Sequence, residues 1–475
     1  VAGVLKKKST GIMIAAAIFG LSAVLFWVAL RQAFVGDDFI WLYNAAYNMK
    51  YLNAWIVAFD QMNGSGFYRP LTQEVFFYAI FHLFGVNALL SHIAVFAVYL
   101  LTGLVLYKLL VSLTKEVGAA IAGTAVFLFC NANYVGLSWV AAFSQTGSSL
   151  LFVARLYFYA MGRRFFSAIA FLLCLLSGEI TSTIPAFIFL FEFLIRRSSI
   201  VRSLLKGGYF WLMFAAYVVL RFAVLGIHPA GPFGMANSLP LLLATFMKSL
   251  AWIIGWTPSL ENALAAPYWR VLAWGSFLVM ALAVVIPLIM LCLIDRRGKR
   301  MRVVVMGLLW IAIGMSPVLV FSLHDYAAYN LAISLIGLAV CVAGAVSAFG
   351  RSARFAGSVI VMACFAVNFA AIYNPGGNNR IEGSNFYGRL ALAYTKSIRH
   401  CAEDHQFDTV YIVNGDDALT WALGNQWGAR VLARNPDIAM SYVKSVAQAD
   451  PQELVFAYTG NRLNLVSCGA AAQAH

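Results

Sequence analysis

Charge is scarce in this sequence. Asp, Glu, Lys and Arg make up 11% of its 475 residues, whereas a soluble domain carries about 25%. A chain this poor in charge cannot clothe a globular surface, which excludes a soluble fold. Cysteine patterning is equally thin, with no Cys-x-x-Cys and no Cys/His spacing suited to a metal. Cys130, Cys174, Cys292, Cys341 and Cys364 lie inside apolar stretches, where a thiol is a small hydrophobe. Only Cys401 and Cys468 lie in polar sequence; they are candidates for a disulfide, although sequence does not set their separation. A glycine-rich phosphate loop and a Rossmann-type unit are both missing, which argues against direct use of a nucleotide. Internal repeats and low-complexity tracts are missing too.

What is present is hydrophobicity, at 62% of residues with a mean hydropathy of +0.80. The apolar stretches recur at about 20 residues, the length of helix that crosses about 30 Å of hydrocarbon. Trp and Tyr number 12 and 21, as expected where amphipathic rings sit among lipid headgroups. The segments predict about eleven transmembrane helices, over 11–31, 88–110, 117–135, 144–162, 165–178, 180–195, 207–226, 268–294, 303–323, 327–349 and 355–373. The first follows Lys6-Lys7-Lys8; its apolar core is too long for a signal peptide and no small-residue cleavage site follows, so it reads as a retained helix.

The net charge of +14 falls in short clusters between these segments. With a cytoplasmic N-terminus, alternate gaps receive Lys108 and Lys115, Arg163-Arg164, Arg196 to Lys206, Arg296 to Arg300, and Arg351 with Arg354. That is the positive-inside pattern, and it requires 165–195 to be two spans with a turn at Ser177-Gly178-Glu179. No aromatic-basic stripe accompanies the charge, so nucleic acid is not a partner. The stretches 70–86 and 240–257 carry Glu74, His82 and Lys248 and read instead as helices lying in the outer interface. After residue 374 the composition turns polar. TVYIVN (409–414) and ELVFAYTG (453–460) read as strands, with helices near 387–402 and 438–447. The expected architecture is therefore an all-α polytopic domain over 1–374 and a small α/β domain over 375–475. The latter lies on the outer face, in an oxidising compartment.

Four clusters fall on that outer face. Asp37-Asp38 follows the first span; such a pair is either a solvated helix end or, partly withdrawn from water, a general base. Tyr68-Arg69-Pro70 opens the first interfacial helix; Pro suits a first helical position, and an Arg fork matches phosphate oxygens. Glu179 is either a turn residue or a functional carboxylate between two apolar segments. His324-Asp325-Tyr326 ends a late span, and His beside phosphate acts as donor or cation. Lys248, Arg270 and Arg221 are additional basic residues, each also explained as a snorkelling anchor.

The order and spacing of these pieces resemble the GT-C-fold glycosyltransferases that use polyprenyl-phosphate sugars, such as protein O-mannosyltransferases and lipid A aminoarabinose transferases. The matching segments are VGDDFIWLYN (35–44), FYRPLTQEVFFYAIFHLFGVNALLSHIAVFAVYLL (67–101), CNANYVGLSWVAAFSQTGSSLLFVARLYFYA (130–160), LLSGEITSTIPA (175–186) and FSLHDYAAYNLAISLIGLA (321–339). The resemblance covers about 1–350. It implies an inverting transfer from a polyprenyl-phosphate sugar to a hydroxyl of a protein, lipid or glycan, at the outer face of a bacterial inner membrane. No cofactor is required, and no metal is indicated by the acidic pair. Asp37 or Asp38 would be the base, Arg69 would meet the donor phosphate, and Glu179 would bind substrate or place the base. The chain departs from the family at Gly178, where Lys is common, and at Ala327-Ala328, where an Arg is expected. Lys248, His324 or Arg270 then supplies the phosphate cation. Two rival classes remain. One is an O-antigen ligase or oligosaccharyltransferase with a lipid-diphosphate donor, which would place Arg and His in a large late loop. The other is a transporter, which would show inverted repeats and mid-membrane charge.

Overall fold

The computed structural model describes residues 16–48, 69–225, 238–294, 298–317, 319, 328–374, 381–460 and 462–468. Within these residues every one of the eleven apolar segments carries helix. In lipid a backbone must bond to itself, and a helix does so within one segment. Among the described residues four helices are long and apolar enough to cross a bilayer: Ala88–Thr114, Trp269–Leu293, Ala328–Gly350 and Ala353–Tyr373. Counting each of two bent pairs as one span gives up to six: Val117–Phe129 with Asn131–Ser138 at 43° and Ile200–Lys206 with Gly208–Leu220 at 60°. Shorter apolar helices include Ala16–Leu25, Arg164–Leu175, Ile180–Ile195 and the two stretches read as interfacial, Leu71–Phe84 and Leu239–Ile253. The expected eleven crossings thus correspond to eleven helical segments of unequal length, and among the described residues fewer than eleven meet the length and apolarity of a full span.

Side-chain exposure identifies the solvent. Val271 is 82% exposed, Leu293 79%, Phe355 76% and Leu205 74%. Apolar surface this extensive is stable against hydrocarbon and not against water, so the chain is an integral membrane protein. Buried helix faces meet through small residues. A Cβ placed on Gly307 would lie 2.5 Å from the Cys341 amide nitrogen, and one on Gly118 would lie 2.5 Å from the Ala353 carbonyl. Without a hydrophobic drive between helices in lipid, such close backbone approach supplies the packing energy.

Residues 409–468 form a four-stranded sheet in the order β2-β1-β3-β4, with β1 at Thr409–Val413, β2 at Ala439–Val443, β3 at Leu454–Thr459 and β4 at Arg462–Cys468. β1 pairs in parallel with β2 and β3, and β3 pairs antiparallel with β4. The helix expected near 438–447 is therefore strand β2. Its apolar spacing suits either period, and pairing with β1 decides for the strand, as tertiary context does for short segments. Helices Ile381–Asp404 and Asn425–Ala433 pack with this sheet, and helix Asp417–Ala422 packs with both of them. Cys401 and Cys468 are disulfide-bonded, with Cα atoms 5.7 Å apart, tying the long helix to β4. This unit sits directly on the segment after the first apolar helix. Tyr43 and Trp427 rings lie 4.5 Å apart, Tyr47 donates to the Arg430 carbonyl at 3.3 Å, and Arg399 donates to the Val86 carbonyl.

Candidate active site

The acidic pair owes its shape to Gly36. At φ +55° this residue turns the chain sharply in a region open mainly to glycine, and helix Asp37–Tyr43 begins at once. The two carboxylates then part. Asp38 is fully buried; its oxygens accept from the Val35 amide at 3.0 Å and the Ala141 amide at 2.6 Å. Burial pushes its carboxyl up to about 8, against the pull of those two amides and with a further push from the Asp37 charge. Asp37 is half-buried. Burial raises its pKa as well, and a hydrogen bond from the Trp421 side chain opposes the rise.

The opposite wall starts at Arg69, whose Nη1 donates to Ser144 Oγ at 3.4 Å. Pro70 then starts the helical turn. The Leu71 amide donates to the Leu176 carbonyl at 3.0 Å and the Thr72 hydroxyl to the Ser177 carbonyl, so this turn is stitched to the Ser177-Gly178 turn. A Cβ on Gly178 would lie 3.1 Å from Ser148 Oγ, and one on Gly147 would lie 2.9 Å from the Thr72 methyl. The backbone of Glu179 begins the next 3-10 turn; its side chain lies outside the described residues. Glu74, which the sequence reading did not place in the site, is buried beside this wall. Burial lifts its carboxyl to about 7, and Arg69 pulls it down.

A third wall comes from the start of the Ala328–Gly350 helix. Gln145 Nε2 donates to Asn330 Oδ1 at 3.2 Å, and Tyr329 packs edge-on to Trp139 at 6.0 Å. Tyr329 lies within electrostatic reach of both Arg69 and Asp37, which places the three around one space. All three walls meet the N-terminal part of helix Phe143–Ala160 and the turns before it. Four buried polar atoms here have no protein partner: Glu74 Oε2, Trp139 Nε1, Gln145 Oε1 and Ser148 Oγ. Buried polar atoms are normally satisfied, and this concentration suits a polar ligand bearing hydroxyls.

Of the expected site residues, the structure thus gathers Asp37, Asp38, Arg69 and the Glu179 turn. Tyr68, His324, Asp325 and Tyr326 lie outside the described residues, and so does the Arg221 side chain. Lys248 stacks over Trp252 at 4.6 Å, on a helix that packs beside residues 328–331. Arg270 is engaged elsewhere: Nε donates to the Leu264 carbonyl at 3.1 Å and Nη2 to the Ala265 carbonyl at 3.0 Å, closing the C-terminal end of helix Pro258–Ala265. A last-turn carbonyl cluster is a natural partner for a cation. Among the described residues no group of three or more His, Cys, Asp or Glu is placed to share a metal ion. Trp139, Gln145, Ser148, Tyr329 and Trp421 carried no signal as single residues. Trp421 in particular belongs to the C-terminal unit.

No family profile matches this chain, and no curated protein matches it. Solved structures do. ArnT from Cupriavidus metallidurans bound to undecaprenyl phosphate aligns over 96% of this chain and 98% of its own, with a TM-score of 0.54 and 12% identity. The mycobacterial arabinofuranosyltransferase AftD aligns over 94% of this chain but 32% of its own, with a TM-score of 0.47 and 16% identity. The end-to-end likeness to ArnT makes this a GT-C-like fold, the class that the sequence resemblance implied.

Proposed function

We propose that this protein is a membrane glycosyltransferase that moves a sugar from a polyprenyl-phosphate donor to a hydroxyl acceptor, with inversion. The observation that carries the reading is the convergence of Asp37, Arg69 and the Ser177–Glu179 turn on one end of helix Phe143–Ala160, in a fold aligned along its whole length with a protein bound to undecaprenyl phosphate. Asp37 is the base. It takes the proton of the acceptor hydroxyl as that oxygen bonds to the anomeric carbon and the bond from that carbon to the phosphate oxygen breaks. The lipid phosphate leaves with its electron pair, and a single in-line displacement needs no second, nucleophilic carboxylate. Arg69 stabilises the growing phosphate charge. Asp38, clamped between two amides, holds the turn. Lys248, Glu179, Tyr68 and the His324–Tyr326 segment complete the donor site; Arg270 is the weakest candidate because its guanidinium caps a helix.

In this reading residues 1–374 form the catalytic membrane domain and 375–475 an outer-face α/β domain, with the N-terminus cytoplasmic. The basic gaps support this orientation, and the disulfide between Cys401 and Cys468 suits an oxidising compartment. The test is transfer of radiolabelled sugar from a panel of polyprenyl-phosphate sugars, in membranes carrying wild type, Asp37→Asn or Arg69→Ala. Asp37→Asn is expected to lose about 10²–10⁴-fold in rate, the scale of general-base catalysis. Arg69→Ala is expected to lose about 10²-fold. Inert polyprenyl-phosphate sugars beside reactive lipid-diphosphate glycans would replace this reading with that of a ligase.

A further inference from the structure

Burial raises the Asp37 pKa, and the side chain of Trp421, a residue of the C-terminal unit and not of a membrane helix, draws it back. Several features hold the indole in place. A Cβ on Gly36 would lie 2.5 Å from indole Cε2 and Cζ2 and 2.9 Å from Nε1, so the ring rests against the turn that starts the acidic helix. The Gly36 amide donates to the Ala422 carbonyl at 3.2 Å, locking that turn to helix Asp417–Ala422. That helix is itself capped, with Asp416 Oδ1 accepting from the Leu419 amide at 2.7 Å. Trp139 and Tyr387 meet the indole edge-on at 6.0 Å and 6.2 Å. Yet Trp421 is 40% exposed, so burial is not its purpose. A large ring held by neighbours at the mouth of a polar site has its N–H as its distinctive asset, and indole is a donor only.

We propose that Trp421 is a positioning residue for the base: its indole N–H orients the Asp37 carboxylate toward the acceptor hydroxyl, so the C-terminal unit completes the active site. This rests on Asp37 being the base. The donor also favours the charged carboxylate, offsetting part of what burial does to it.

The experiment compares wild type, Trp421→Phe, Trp421→His and Asp37→Asn as full-length purified protein, with labelled donor, across pH. Trp421→Phe keeps a ring and loses the N–H. Its kcat is expected to fall about tenfold and the acid limb of kcat/KM to move up by about one pH unit, with the KM for donor unchanged. Trp421→His restores a donor and is expected to recover most of both. An unmoved acid limb in Trp421→Phe, or no recovery in Trp421→His, overturns the proposal. Should Trp421→Phe fail to fold, Gly36→Ala asks the same question by levering the indole off the carboxylate, and an unmoved limb there is equally fatal. An active Asp37→Asn enzyme would sink the base assignment and this inference with it. Inactive Asp37→Asn beside an unshifted Trp421→Phe would sink this inference alone.

Discussion

Asp37 and Asp38 are neighbours in sequence and opposites in environment. Asp38 spends both oxygens on backbone amides and sees no solvent; Asp37 keeps access and a single side-chain donor. Substituting each should therefore break a different property. Asp38→Ala removes the acceptor of two buried amides and leaves both stranded, a loss of about 3 kcal/mol, visible as a lowered Tm. The sign with pH follows from its raised carboxyl, about 8 in the fold against 3.8 as its ordinary value. A raised acid binds its proton more tightly when folded, so its contribution is full below about pH 4 and declines toward pH 8. The Tm gap between wild type and Asp38→Ala should be wider at pH 5 than at pH 8; a constant gap would contradict it. If Asp37 is the base proposed above, the consequence of its raised pKa lies in catalysis: activity should fail on acidification at a pH above the ordinary carboxylate range, and a pH–rate profile checks this.

At the scale of elements, a basic loop illustrates how charge serves two ends. Arg196 and Lys206 read as topological signals, yet both lie 2.7 Å from Glu192, which is fully buried and also receives Tyr159 and Ser198. The cluster ties the end of helix Ile180–Ile195 to the helix pair that follows. Glu192→Ala leaves two cations and a buried phenol without their acceptor, and should cost about 1–3 kcal/mol, measured by thermal unfolding in detergent. The helix interfaces built on glycine are less tolerant of bulk. Gly307→Leu would drive its side chain into the backbone at Cys341 and should cost at least about 1–3 kcal/mol, with the purified protein losing its single sharp transition. β2 shows the reverse dependence, an element whose type was set by its partner β1 and not by its own pattern.

Over the whole molecule, the C-terminal unit is joined to the site as well as to its own sheet. The disulfide closes a loop of sequence separation 67 within that unit, and replacing Cys401 and Cys468 by Ser should cost about 2–4 kcal/mol. Because Trp421 hangs from this unit, activity should fall with it, which an assay of the double variant reads directly.

The apolar segments, the break at Ser177–Gly178, the polar turn of composition after residue 374 and the candidate turns at Asp37, Arg69 and Glu179 were all legible in the sequence. Each is a local matter of hydrophobic length, charge and turn chemistry, and local patterns survive without knowledge of the fold. Tertiary structure alone decided which Asp is buried, that Arg270 caps a helix, that β2 is a strand and that Trp421 reaches Asp37. Those outcomes depend on contacts between residues far apart in the chain, where burial, backbone pairing and the space left by one glycine set the result.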